Sequence, residues 1–108
     1  MAQIQRQQYA RLLARRCERE DTFELRIRYA TALADVGQID EAQAVIDQLV
    51  LDVPEEQEVW MLCLRLAVMR RDGDEVHRVI DAIDNQHVYL SAANREQLAF
   101  WRDGEEAR

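Results

Sequence analysis

The side chains of this chain that most often do chemistry in proteins are two histidines, two cysteines and one serine: His77, His87, Cys17, Cys63 and Ser91. A zinc site on a helix needs a second histidine at helical spacing, and His77 has none. The cysteines lie far apart, outside any metal or redox spacing, and nothing requires a disulfide between them. Cys63, which stands between two leucines, is predicted to be a small buried hydrophobe. Ser91 precedes a predicted helix, where a hydroxyl typically caps first-turn amides.

An acidic turn, 72–75, is the remaining candidate for a cation site. Asp72, Asp74 and Glu75 supply too few ligands for a calcium loop, and Gly73 stands at the wrong position within it. Acids there suit the N-terminus of a helix, whose dipole favours negative charge. The chain also contains no lysine, which excludes a Schiff-base lysine and a Walker-type phosphate loop. We therefore expect no enzymatic activity, no metal and no cofactor.

Charge is distributed unevenly along the 108 residues, whose formal net charge is −7. Residues 1–20 hold five arginines and two acids, a net of +3, and the remainder nine arginines and nineteen acids, a net of −10. The acidic remainder argues against nucleic acid as a ligand. The basic segment is either a solvated helix face or a docking element. No apolar run approaches the roughly 20 residues that cross a bilayer, and the N-terminus lacks a signal-like apolar core, so we expect a cytoplasmic protein.

Apolar residues recur at helical spacing along the whole chain and predict an all-α fold of about six helices with short connections. The helices are expected over about 3–18, 23–36, 39–51 and 55–71, then after the turn at 72–74, and from about Ser91 to a charged tail. The residues expected on buried faces are Tyr9, Leu13 and Cys17; Leu25, Tyr29, Leu33 and Val36; Ala42, Val45, Ile46 and Leu49; Val76, Val79, Ile80 and Ile83; and Ala93, Leu98, Phe100 and Trp101.

Local signals mark several helix ends. Asp21 is predicted to cap the second helix in a capping box with Glu24, and Gly37 to end that helix in a left-handed turn. Pro54 suits the first turn of the fourth helix. Between residues 59 and 69 of that helix only Arg65 is charged. Such a helix is either buried on all sides or covered by a partner.

A period of thirty-four residues organises the centre of the chain. The segment 23–56 matches the segment 57–90 without a gap, so that Asp40, Val45 and Ile46 fall on Asp74, Val79 and Ile80. A fixed period of this length is typical of stacked helical hairpins, each burying its apolar face against the next. We expect a single domain over 1–108, divided into a capping helix (1–20), repeat one (21–54), repeat two (55–90), a second capping helix (91–103) and a tail (104–108).

The repeat resembles the tetratricopeptide repeat family. The segment 37–42, Gly-Gln-Ile-Asp-Glu-Ala, is similar to that family's turn, and Pro54 falls where its closing proline is expected. Ala30 takes the small-residue site, and Trp60 the site that opens the next repeat, where the first copy has Arg26. The second copy is degenerate, and its turn is expected to be displaced, because Gly73 lies nearer the second helix of its hairpin than Gly37 does. The resemblance implies a right-handed stack of antiparallel helical hairpins, an α-α superhelix.

In this family the first helix of each repeat lines a concave groove that holds a peptide. The family's groove sites correspond to Glu24, Ile27, Thr31 and Asp35 in repeat one, and to Glu58, Met61, Arg65 and Met69 in repeat two. The lysines and asparagines with which some family members clamp a carboxylate tail are largely absent at these sites. Methionines adapt to differently shaped apolar partners, which favours a helical or hydrophobic segment. The alternative, that Met61 and Met69 belong to the core, stays open.

Two repeats are fewer than the about three that make such an array stable alone, so we expect a homodimer or a subunit held by a partner. The resemblance implies an adaptor or chaperone-like protein that binds a helical or hydrophobic segment of another protein. The alternative is a repeat module of a bacterial regulatory or thioredoxin-linked co-chaperone protein that positions partners or mediates dimerisation. Neither reading requires direct contact with nucleic acid or insertion into a membrane.

Overall fold

Six α-helices make up the described part of the chain. The computed structural model describes residues 3–106, with side chains from Ile4 to Asp103. Over that range the elements are α1 (Gln3–Glu20), α2 (Phe23–Asp35), α3 (Ile39–Asp52), α4 (Gln57–Met69), α5 (Gly73–Asn85) and α6 (Ala92–Glu106), with no strand. Packed neighbours are α1 with α2, α2 with α3, α4 with α5, and α5 with α6. The predicted all-α fold of adjacent packed helices is confirmed.

Two compact units divide these helices. Unit 1 is Met1–Val53, with α1 to α3, and unit 2 is Pro54–Arg108, with α4 to α6. The boundary falls between the two predicted repeats. The predicted division into one domain of caps, repeats and tail stays a prediction, and its residues 1–2 and 107–108 lie outside the described part.

Unit 1 is built around α2, which packs on both other helices. Ala42, Ile46 and Leu49 of α3 are fully buried, as predicted from their helical spacing. On α1 the buried residues are Ala10 and Leu13, with Cys17 packed beside them. The expectation that Tyr9 lies on this face is wrong, because its side chain is 48% exposed. Small Ala10 lies at the contact with α2 instead, and a small residue lets two helices approach closely.

Unit 2 places most of α4 in its interior, which agrees with the apolar character of that helix. Its buried residues are Val59, Trp60, Leu62, Leu64, Leu66 and Ala67, and those of α5 are Val76, Val79, Ile80 and Ile83. Cys63 is only half-buried. On α6 Leu98 is buried, but the expectation that Phe100 packs inward is wrong, because it is 66% exposed and stacks edge-on against Trp101 at 5.2 Å between ring centroids. Ala93 is exposed as well.

Polar contacts join the ends of the helices within unit 2. The Trp60 indole N–H donates to the carbonyl oxygen of Pro54 at 2.6 Å, which fastens the start of α4 to the preceding turn. The Gln57 Oε1 accepts from the Ser91 N–H at 2.7 Å and from the Asn94 side-chain amide at 2.8 Å. These bonds hold the first turn of α6 next to the first turn of α4.

The helix bounds repeat with the thirty-four-residue period that the sequence predicts. Helix α2 covers 23–35 and α4 covers 57–69, and α3 and α5 begin at Ile39 and Gly73. Both α2 and α4 end in a left-handed residue, Gly37 with φ +82° and Arg71 with φ +55°. The N–H of the next residue then donates to the carbonyl five residues back, from Gln38 and Asp72 respectively. The turn of the second copy is therefore not displaced; only its glycine is.

Some predicted helix ends require correction. The residue that caps α2 is Thr22, whose Oγ1 accepts from the Leu25 N–H at 3.3 Å. Asp21 instead closes α1, with φ +37° and its N–H donating to the Cys17 carbonyl oxygen at 3.0 Å. Helix α4 begins at Gln57, two residues later than expected, because 54–55 form a turn. Helix α6 extends to Glu106, into the segment expected to be a tail.

Candidate partner-binding surface

The predicted groove residues of unit 1 share one face of α2, at i, i+3, i+7 and i+11. Glu24 and Asp35, at the two ends, are exposed, and Ile27 and Thr31, between them, are half-buried. The Thr31 hydroxyl donates to the Ile27 carbonyl oxygen at 2.8 Å, so it is satisfied inside the helix. We call these four residues the α2 strip. It has an acid at each end, with an aliphatic side chain and an internally bonded hydroxyl between them.

The predicted groove residues of unit 2 have the same spacing on α4. Glu58 is exposed, Met61 and Arg65 are half-buried, and Met69 is 36% exposed. We call these four residues the α4 strip. Neither methionine belongs to the buried core of unit 2. Part of each thioether side chain reaches solvent, which is necessary for contact with a partner.

The two strips belong to different compact units. Within each unit the structure brings the four predicted residues to one helix face. The union of both strips into a single groove stays a prediction, as does the partner-binding role of the eight residues.

An open crevice continues the α2 strip toward α1. It has a volume of about 390 Å³ and is lined by Arg6, Tyr9, Ala32 and Asp35. Asp35 was predicted as a groove residue, but Arg6 and Tyr9 were not. No signal in the sequence marks these two residues, because they belong to α1, which lies outside the predicted repeats. The crevice adds a guanidinium and a phenol to the end of the strip at Asp35.

Comparison with protein families identifies the fold. The family model described as tetratricopeptide repeat matches residues 10–66, slightly more than half of the chain. The chain belongs to the tetratricopeptide repeat family. The matched segment includes part of α1, all of α2 and α3, and most of α4. Searches of curated proteins and of solved structures found no match.

Tetratricopeptide repeats form protein-protein interaction modules, and membership of the family makes this chain such a module. Such repeats are typically non-catalytic. The α2 and α4 strips are therefore the natural candidates for contact, because they lie on the first helices of the two hairpins.

A half-buried arginine lies in the first turn of the repeat helix α2. The Arg26 Nη1 donates to the Asp52 carboxylate at 2.8 Å, and its Nε lies 3.5 Å from an Asp21 oxygen. The Arg26 bond, followed by one from the Gln48 side chain, lowers the pKa of the Asp52 carboxyl below its usual value. The arginine thereby joins the start of α2, which contains the α2 strip, to the end of α3.

Two groups between α1 and the repeat ionise less readily than usual. Burial, followed by the charge of Asp21, raises the pKa of the Cys17 thiol. Burial, followed by the charge of Glu41, raises the pKa of the Tyr29 phenol. Both side chains pack against the core of unit 1, next to Leu13 and Leu25. They act as packing groups at neutral pH, since neither is charged there.

Among residues 3–106 no group of three or more histidine, cysteine or acidic side chains is placed to hold a metal ion. In the same part of the chain no helix has the length and apolar character needed to cross a bilayer. The predicted capping role of Ser91 is confirmed, because its hydroxyl accepts from the Asn94 N–H at 3.3 Å. The Asp72 carboxylate, whose capping role was not predicted, accepts from the Glu75 N–H at 3.1 Å at the start of α5.

Proposed function

We propose that this chain is a non-enzymatic adaptor or chaperone-like subunit that binds a helical or hydrophobic segment of a partner protein through its repeat helices. The observation that carries the proposal is the α4 strip, where Met61 and Met69 reach solvent on either side of Arg65. The long flexible side chain of methionine fits apolar surfaces of different shapes. An amphipathic partner helix places apolar residues at i, i+4 and i+7, which matches such a strip.

The charges of the two strips support a helical partner over an acidic tail. Tail recognition in this family relies on lysine and asparagine, whereas the four corresponding sites here hold Ile27, Thr31, Met61 and Arg65. The strips also carry Glu24, Asp35 and Glu58, whose charge repels a partner carboxylate. These acids favour a partner helix with basic residues beside its apolar face. The same acids repel nucleic-acid phosphates, so the proposed partner is a protein. The proposed location of the chain is the cytoplasm.

The test compares wild type with the double variant Met61→Glu/Met69→Glu. Proteins captured from source extract by the immobilised chain are first divided into overlapping peptides, and the binding of each peptide is measured by fluorescence anisotropy. We expect the binding peptides to be amphipathic, with an apolar helical face, and the double variant to bind them at least about tenfold more weakly, because buried carboxylates are costly to desolvate.

A matched control variant is His77→Glu/Gln97→Glu, which adds two acids at exposed positions on α5 and α6. It should bind as wild type does. Circular dichroism of all three proteins separates loss of binding from loss of fold. The proposal fails if the double variant unfolds, since the methionines would then be core, or if the binding peptides are acidic tails without an apolar face.

A further inference from the structure

Helix α1 has an exposed face that is both apolar and basic. Leu12 is 57% exposed, and Arg16 and Arg19 follow it on the same side at i+4 and i+7. The Arg16 guanidinium contacts the exposed Glu20 carboxylate at 3.4 Å, which is a weak i,i+4 pair. A shallow cavity of about 630 Å³ opens along this face. We call Leu12, Arg16 and Arg19 the α1 face.

Helix α3 has an exposed face of the opposite charge. Leu51 is 76% exposed, and Asp47 and Ala44 are exposed at four and seven residues before it. Helix α3 contains four acids and no basic residue. The Asp47 carboxylate accepts from the Gln43 side-chain amide at 2.8 Å, which leaves further acceptor positions on its oxygens. We call Ala44, Asp47 and Leu51 the α3 face.

The two faces match residue by residue when the helices run antiparallel. Leu12 opposes Leu51, and four residues further along each helix, about 6 Å at a rise of about 1.5 Å per residue, Arg16 opposes Asp47. Three residues beyond, the long side chain of Arg19 opposes the small Ala44. At this one register a leucine meets a leucine, a guanidinium meets a carboxylate, and a long side chain meets a small one.

Both helices belong to unit 1, and each buries a different face against α2. Leu12 and Leu51 are exposed within one copy, so the pairing needs a second copy. We propose that two copies of this chain associate with the α1 face of one copy on the α3 face of the other. In a two-fold dimer this contact occurs twice, so the buried surface is twice that of a single contact. Stable interfaces bury roughly 1,200 Å² or more in total.

The chain itself supports this occupant over another protein. The net charge of residues 1–20 is +3, and that of the remaining residues is −10, so one copy contains both partners of an electrostatic attraction. The interface contains none of the eight residues of the α2 and α4 strips. Self-association and peptide binding are therefore independent, and either can fail alone.

The test is a charge exchange on the purified full chain, followed by sedimentation equilibrium over a wide concentration range. We expect wild type to associate, and Arg16→Glu or Asp47→Arg each to weaken association at least about tenfold, because like charges then meet at both contacts. A mixture of the two variants should associate as wild type does. In that mixed dimer one contact has the exchanged pair and the other the native pair.

Matched controls are Arg78→Glu and Asp81→Arg, which change the same charges on α5. Arg78 forms a local pair with Glu75 as Arg16 does with Glu20, and Asp81 is exposed thirty-four residues after Asp47. Both controls should associate normally, and circular dichroism should show every variant folded. A wild type that is monomeric at all concentrations, or single variants that associate normally, would overturn the proposal. So would a mixture that stays dissociated.

Discussion

At the scale of single residues, the two hairpins fasten the start of their first helix with different chemistry. Trp60 stands thirty-four residues after Arg26, and each side chain lies near the start of the first helix of its hairpin. Trp60 is 6% exposed and bonds to the turn before α4, whereas Arg26 is bound to the Asp52 carboxylate at the end of α3. The first copy thus has an ionic anchor where the second copy has an aromatic one. An ionic anchor responds to pH.

The pH dependence follows from the lowered pKa of Asp52. A carboxyl whose pKa is lower in the folded state stabilises that state above its unfolded pKa of about 3.9, and the contribution is lost as pH falls through the folded value. We expect Asp52→Asn to lower the urea midpoint at about pH 6 and to reduce its further fall toward about pH 3. The measurement is urea denaturation followed by circular dichroism at both pH values.

The control for this prediction is Asp81→Asn, which changes an exposed aspartate on α5. It should keep the wild-type acid dependence. If Asp52→Asn loses as much stability between the two pH values as wild type does, the Arg26 bond contributes nothing measurable to the fold.

At the scale of elements, the left-handed residue that ends the first helix of each hairpin sets the direction of the second helix. Gly37 occupies this position after α2 without steric cost, and Arg71 occupies it after α4 with a side chain that disfavours it. We expect Arg71→Gly to stabilise unit 2 by about 1 kcal/mol, because the strain outweighs the extra entropy of glycine in the unfolded chain. The measurement is the free energy of unfolding from chemical denaturation.

Two further variants check the cause of that gain. Gly37→Ala should cost about 1–2 kcal/mol through backbone strain. No atom lies within 4 Å of an added Cβ, so crowding cannot explain a loss. Arg70→Gly, one residue earlier with φ −77°, should destabilise, since right-handed backbone gives glycine no advantage. Stabilisation by both arginine-to-glycine variants would contradict the assignment to the left-handed residue.

The elements also show which features the sequence predicts and which it does not. Periodicity identified the six helices, and the thirty-four-residue repeat anticipated the matching bounds of α2 and α4, because apolar spacing is set by helical geometry. It was less predictable which of two adjacent residues faces a packed helix or caps a helix. Tyr9 and Ala10 are both apolar, and the distance between two packed helices decides which one faces the partner. Asp21 and Thr22 can both cap a helix. Because Asp21 closes the end of α1, Thr22 is the residue that caps α2.

The candidate site was predictable in position but not in role. The spacing of Met61, Arg65 and Met69 predicts one helix face, and the structure places them there. Their exposure was not predictable, because an apolar helix can be covered by its own chain or by a partner. Their binding role depends on a second molecule, about which the spacing contains no information. The crevice residues Arg6 and Tyr9 belong to a helix outside the predicted repeats.

At the scale of the whole molecule, each compact unit contains a core of its own. Ile46 in unit 1 and Ile80 in unit 2 stand thirty-four residues apart, at the same place in their hairpins, with exposures of 0% and 2%. In repeat proteins, stability is approximately a sum of local terms and terms between neighbours. A cavity in one unit should therefore loosen that unit more than the other.

The paired variants Ile46→Ala and Ile80→Ala test this at matched positions. Each removes the same atoms from a filled core and should cost about 2–5 kcal/mol. Hydrogen exchange followed by mass spectrometry should show the largest loss of amide protection over α1 to α3 for Ile46→Ala, and over α4 to α6 for Ile80→Ala. Urea denaturation of the same variants gives the total cost. If both variants lose protection evenly over residues 3–106, the chain opens as one cooperative body, and the two cores share a single stability rather than two.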